Sequence, residues 1–135
     1  MKLSSEKLVK LVPEWRGKSI TIFPIKSGLT NLNYKIEVGS QAFFLSLPGK
    51  HSYLLQIDHQ NKYYNNKICA ELKISPPVFR FIEAENILIT GFIDFKMTNT
   101  GELTKIKINE LLINTLKTLH TSKPFNNNFD MFELI

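Results

Sequence analysis

Five short segments of the chain have the apolar pattern of β-strands, and in one of them, residues 34–38, apolar and polar residues alternate. β-Branched and aromatic residues dominate these segments, which cover residues 19–23, 34–38, 42–47, 78–82 and 86–90. A turn-rich connector at 24–33 follows the first segment, and Gly39 and Ser40 form a short turn after the second. Strands joined by such short connections predict an antiparallel meander.

Apolar residues at every third or fourth position predict three helices, over residues 4–12, 58–73 and 104–120. Asp58 is the expected N-cap of the second helix. The same helix is expected to bury a stripe formed by Tyr64, Ile68 and Leu72. Thr104 is the expected cap of the third helix, whose apolar face carries Ile108, Leu111, Leu112, Leu116 and Leu119. Helices and an antiparallel sheet in this order predict an α+β fold.

Composition indicates one globular domain, since the chain has 135 residues, of which 43% are hydrophobic and 21% charged. These values exclude wholesale disorder, collagen and coiled coil. A single cysteine, Cys69, excludes an internal disulfide framework. No apolar run approaches the roughly 18 residues that a membrane span needs, and residues 1–7 lack the apolar segment of a secretory signal. We therefore expect a soluble, cytoplasmic protein.

The net charge of +5 raises nucleic-acid binding as one possible function. Only Arg16 and Arg80 of the 17 basic residues are arginines, although arginine is the preferred reader of base edges. The lysines are also spread along the chain instead of being clustered, as a nucleic-acid footprint requires. A lysine-rich nucleic-acid binder is therefore the disfavoured third alternative.

Six segments resemble, in order and with similar spacing, motifs of the choline/ethanolamine kinases and the aminoglycoside phosphotransferases. Given first as they stand here and then as in the family, they are SGLTNLNY at 27–34 for GGLTNxNY, FLSLPG at 44–49 for VLRxPG, IDH at 57–59 for IDR, AELKISPPV at 70–78 for AExGISPxV, ILITGFI at 87–93 for VLVTEFI, and LKTLHTS at 116–122 for LRxLHxS. The matches extend over about residues 15–135, and the choline-kinase-like branch is the most similar.

This resemblance implies a protein-kinase-like fold that is present only in part. Residues 1–93 would be the N-terminal small lobe on the nucleotide side, a five-stranded antiparallel sheet with one packed helix. Residues 94–135 would be the hinge exit and the first helix of an incomplete second lobe. Members of the family use ATP and Mg²⁺ and transfer the γ-phosphate to a small alcohol, such as choline or ethanolamine.

The resemblance also implies two groups of nucleotide-binding residues. A phosphate loop at 27–33 would use the backbone at Gly28, which lacks a Cβ, and a hinge at 90–93 would hold adenine through backbone N–H and C=O groups. Ordinary alternatives are an Asn-rich connector and a plain strand exit. The candidate residues are Ser27, Gly28, Leu29, Thr30, Asn31 and Asn33 in the loop, and Thr90, Gly91, Phe92 and Ile93 in the hinge.

Two positions depart from the family pattern. Ser46 stands where the family has the third-strand arginine, and Lys62 stands where it has the helix acid that pairs with that arginine. Serine cannot replace a guanidinium, which has five donors and a permanent charge. A phosphate could be contacted instead by Lys62 from the helix side, or by Lys50 from the following loop.

No segment matches the family's HGDxxxxN loop or its later metal-binding aspartate, so no catalytic residue and no metal ligand is predicted. One reading is a fragment of a choline kinase-like phosphotransferase, inactive alone, that needs a second-lobe polypeptide before it can act on a small amino-alcohol. The other is a degenerate, pseudokinase-like interaction module. An uncovered apolar face on the third helix predicts self-association. The acceptor is not predicted, because the missing lobe would build its pocket.

Overall fold

A five-stranded antiparallel sheet dominates the computed structural model, which describes residues 3–26, 30–49, 52, 58–94 and 106–125. In chain order the elements are α1 (Ser5–Leu11), β1 (Ile20–Ile25), β2 (Asn31–Val38), β3 (Gln41–Pro48), α2 (His59–Glu71), β4 (Val78–Ile82), β5 (Ile87–Gly91) and α3 (Ile106–His120). The strands lie in the order β1-β2-β3-β5-β4. The predicted α+β class and five-stranded sheet are confirmed. No helix in the described ranges is both long and apolar enough to span a bilayer.

The hydrophobic core lies on one face of the sheet. Phe43, Leu45 and Leu47 alternate along the central strand β3 and are buried on this face. Helix α1 and the 3-10 turn Pro13–Trp15 cover them, and the Trp15 ring lies 5.1 Å from that of Phe43. Leu8 of α1 and Trp15 are almost fully buried, which makes them the anchors of this layer.

A bulge in the edge strand β4 adds a third aromatic ring to this core. Val78 pairs with Thr90 and Arg80 pairs with Ile89, so Phe79 is the additional residue of the bulge. The Phe79 ring stacks on Trp15 at 5.8 Å, and Arg80 forms an ion pair with Glu14. The side chains of Phe79 and Arg80, which are consecutive in β4, therefore both contact the 3-10 turn.

Helix α2 packs on the opposite face, through a contact that the apolar pattern did not identify. The ring of Tyr63 stacks on Phe81 of β4 at 4.9 Å, whereas Tyr64 is 48% exposed. Prediction of a buried stripe through Tyr64, Ile68 and Leu72 was therefore wrong at Tyr64, and the other two are only partly buried. Because α2 is largely polar, the position of β4 decides which side chains of the helix are buried, and the spacing of its apolar residues does not. The cap is confirmed, since Asp58 Oδ1 accepts a hydrogen bond from Asn61 N at 2.9 Å.

Strands β1 and β2 are longer than predicted, at the expense of the connector assigned to residues 24–33. Strand β1 continues through Pro24, and β2 begins at Asn31, which pairs with Pro48. Cross-strand pairing keeps these residues extended despite their turn propensity. The expected helix cap Thr104 lies outside the described residues.

Gly49 lies where the ends of β2 and β3 meet, and its N–H donates to the Thr30 carbonyl at 2.9 Å. A Cβ at this position would lie 2.5 Å from that carbonyl oxygen, so the backbone would have to move.

We predict that Gly49→Ala lowers the free energy of unfolding by about 1–3 kcal/mol, the usual cost of forcing extra volume into a packed site. Urea denaturation followed by circular dichroism measures it. Gly91→Ala is the matched control, because its Cβ would lie an ordinary 3.4 Å from Pro77 Cδ. Equal losses in the two variants would contradict the steric account.

Candidate functional site

A cleft of about 670 Å³ lies where strand β5 ends. Phe44 and Thr90 face each other across β3 and β5, and both line this cleft. Phe44 alternates with the core residues Phe43 and Leu45, which places it on the sheet face away from α1. Apolar and aromatic side chains with a few polar groups suit a small organic ligand. The complete lining is Ile25, Phe44, Asn66, Pro76, Thr90, Gly91, Phe92, Ile93 and Asp94.

All four candidate hinge residues, 90–93, line the cleft, but their backbone donors are not equally available. Gly91 N–H donates to the Pro77 carbonyl at 2.9 Å, and Phe92 N–H donates to the Ala42 carbonyl at 3.1 Å. Ile93 N–H makes no hydrogen bond within the described part of the chain. Of these three N–H groups, only that of Ile93 has no acceptor among the described residues, a distinction that the sequence could not make.

The candidate loop residues are only partly described. Ser27, Gly28 and Leu29 lie outside the described residues, as does Lys50. Thr30 uses its carbonyl oxygen to accept from Gly49. Asn31 and Asn33 belong to strand β2, opposite Pro48 and Ser46 of β3, instead of to a loop. The side-chain oxygen of Asn31 is buried and has no hydrogen-bond partner among the described residues.

The two positions that depart from the family pattern are in contact. Lys62 Nζ, on α2, donates a hydrogen bond to Ser46 Oγ, on β3, at 3.2 Å. Ser46 is buried and Lys62 is half-buried, and burial lowers the pKa of the Lys62 amine. Burial and then the charge of Lys62 also lower the pKa of His59. In the part of the chain that the structure describes, Lys62 forms no ion pair.

Lys35 is a second cation close to the cleft, and the sequence reasoning missed it. Its Nζ pairs with Glu37 at 2.8 Å and lies 5.0 Å above the ring of Phe92. The hydrogen bond that Lys35 Nζ donates to the Glu37 carboxylate raises the pKa of Lys35. Strand alternation could have indicated this residue, because Lys35 pairs with Phe44 on β3.

Metal ligands are not assembled in the part of the chain that the structure covers, where no group of three His, Cys, Asp or Glu side chains could hold an ion. Asp94 stands at the cleft without a second carboxylate among the lining residues. The described residues therefore do not fit Mg²⁺, which prefers several oxygen ligands.

The structure is similar to solved choline/ethanolamine kinases over almost its whole length. A choline/ethanolamine kinase family protein from Mesorhizobium loti matches 96% of the chain at 25% identity with a TM-score of 0.69. Choline kinase LicA from Streptococcus pneumoniae matches 95% at 19% identity with a TM-score of 0.75. A structure of LicA in complex with AMP matches 95% at 23% identity with a TM-score of 0.72.

The resemblance seen in the sequence motifs is confirmed. These matches cover only 42% of the Mesorhizobium protein and 44% of LicA, so the chain spans less than half the length of either. By sequence, no family model and no curated protein matches the chain. The likeness therefore rests on the arrangement of helices and strands together with the short motifs.

The half-buried amine of Lys62 predicts that the free energy of unfolding depends on pH. Burial holds its pKa below the ordinary 10.5, so the unfolded chain binds this proton more tightly than the folded chain does. The folded state therefore gains stability as the pH rises from neutral toward 10.5. Lys62→Met lacks this contribution, so we expect its stability relative to the native chain to be greatest near neutral pH and to decline as the pH rises.

Urea denaturation of both proteins over a pH series measures this difference. Lys67→Met is the control, because it removes a lysine that is exposed on the same helix. It therefore shows the effect of losing a positive charge without the effect of burial. A difference between native chain and Lys62→Met that stays constant with pH would contradict the prediction.

Proposed function

We propose that this chain is the nucleotide-binding part of a choline kinase-like phosphotransferase. The observation that carries the proposal is the cleft beside β5, which combines the apolar surface of Phe44 with the available N–H of Ile93. A purine offers a flat apolar face and an acceptor nitrogen, which such a cleft can bury and orient. The AMP complex of the similar LicA supports adenine as the base.

Assigning the two parts of the chain to lobes follows from the same proposal. Residues 1–93 would be the small lobe that covers the nucleotide, and residues 94–135 would lead from the hinge into the second lobe. ATP would supply the transferable γ-phosphate, and a small amino-alcohol would accept it. The general base and the Mg²⁺ ligands would have to come from polypeptide beyond these 135 residues, because no segment here matches the motifs that carry them.

A non-catalytic, pseudokinase-like role is the second candidate, and the contact between Ser46 and Lys62 favours it. An ion pair between a strand base and a helix acid positions the phosphates in kinases, and here neither member is retained. A chain of this kind could bind a nucleotide, or a protein, without transferring phosphate.

We propose that helix α3 carries a surface that a partner would cover. Leu111, Leu112 and Leu116 are 61%, 46% and 42% exposed, and Ile113 is 49% exposed. An apolar surface of this extent on a helix is normally covered. We propose a second-lobe polypeptide as its occupant, since the chain covers less than half of the kinases that it resembles.

Calorimetric titration with adenosine tests the nucleotide proposal. We expect the native chain to bind adenosine, and Phe44→Ala to weaken binding about tenfold through lost apolar contact. Leu32→Ala is the control, because Leu32 is an exposed apolar residue opposite Leu47, on the other face of the sheet. Absence of adenosine binding by the native chain would overturn the proposal, and phosphorylation of choline or ethanolamine by this chain alone would overturn its dependence on a second polypeptide.

The exposed face of α3 predicts that the lone chain self-associates. Sedimentation velocity over a concentration series should show oligomers, and Leu112→Glu with Leu116→Glu should shift the chain to monomer. Asn109→Glu with Asn114→Glu is the control, because it adds the same charge at exposed polar positions of the helix. A monodisperse native monomer at high concentration would contradict both the association and the need for a covering partner.

A further inference from the structure

Lys62 and Ser46 lie beside the cleft, next to its lining residues Phe44 and Asn66, on the side away from the chain's exit from β5. Phe44 pairs with Thr90 next to that exit, whereas Ser46, two residues later on the same face of β3, pairs with Leu88. Helix α2 brings Lys62 Nζ to Ser46 Oγ at 3.2 Å. A nucleotide with its base at the β5 exit would extend its phosphates in this direction.

Neutral polar residues lie near Lys62 on β2, β3 and α2. Asn33 stands opposite Ser46 on β2. Asn66, one turn after Lys62, lines the cleft and donates from Nδ2 to the Lys62 carbonyl at 2.8 Å. Within the described ranges no carboxylate neutralises the half-buried charge. A partly desolvated cation destabilises the folded chain unless a negative charge pairs with it. We therefore expect an anion to bind beside Lys62.

We propose that Lys62, presented by helix α2, binds the phosphate groups of a nucleotide whose base lies in this cleft, in place of a basic residue on strand β3, an inference that rests on the proposed nucleotide binding. Ser46 then holds the ammonium in position instead of binding phosphate itself. The cation that binds phosphate would thus be on the helix instead of the strand, and it would still contact the phosphate groups of the nucleotide.

Lys35 does not fit this role as well as Lys62 does. Its charge is already paired with Glu37, and it lies over Phe92 at the β5 exit, where the base is expected.

Lysine suits phosphate as a compact point charge, so the replacement of arginine by a lysine from another element keeps the interaction. Burial lowers the pKa of Lys62, and a bound phosphate would raise it again.

Calorimetric titration with adenosine and with ATP separates this proposal from the one on which it rests. The native chain should bind ATP more tightly than adenosine. Lys62→Met should weaken ATP binding about tenfold or more, the size of one charge-assisted hydrogen bond, and leave adenosine binding unchanged. Lys67→Met, the control on the same helix, should change neither.

The outcomes are distinct. If the native chain binds no adenosine, both proposals are overturned. If adenosine binds but ATP binds equally well to the native chain and to Lys62→Met, the role of Lys62 alone is overturned.

A charge exchange gives the second test, with folding verified by thermal denaturation of each variant. Lys62→Glu should abolish the preference for ATP over adenosine, and adding Ser46→Arg should restore it by placing the cation on β3. Failure of Ser46→Arg to restore the preference in a folded protein would overturn the assignment of this side of the cleft to phosphate.

Discussion

Burial of alternate side chains along strand β3 is the constraint on which the rest of the structure depends. Phe43, Leu45 and Leu47 must face α1 and Trp15, because this is the face on which the hydrophobic core lies. The intervening residues, Phe44 and Ser46, are thereby directed to the other face. A register shift of one residue would exchange these two sets, so the core that stabilises the sheet also fixes what lines the cleft.

The contact between Lys62 and Ser46 joins a cation and a neutral acceptor from two elements. Helix α2 provides the ammonium, and strand β3 provides the hydroxyl that accepts its hydrogen bond. Within the described part of the chain this ammonium forms no ion pair, so its positive charge remains able to attract an anion.

β-Branched and aromatic content was enough to predict the five strands, although only some of them alternate, and β5 is buried at four consecutive positions. Apolar spacing failed where burial depends on neighbours that are distant in the chain. Tyr63, and not Tyr64, packs in α2 because Phe81 lies opposite it. In the candidate site, short motifs drew attention to residues 90–93, which line the cleft, and to positions 46 and 62, which are in contact. They could not reveal that Gly91 and Phe92 have already committed their N–H groups to Pro77 and Ala42, because those partners are set by the sheet.

The two outer strands of the sheet carry features that oppose growth by strand addition. Pro24 removes a backbone donor from β1, and the bulge between Val78 and Arg80 interrupts the regular ladder of β4. A sheet with two exposed edges would otherwise be a template for cross-β aggregation. Contact with another polypeptide is thus directed away from the backbone edges and toward side-chain surfaces, where recognition can be selective.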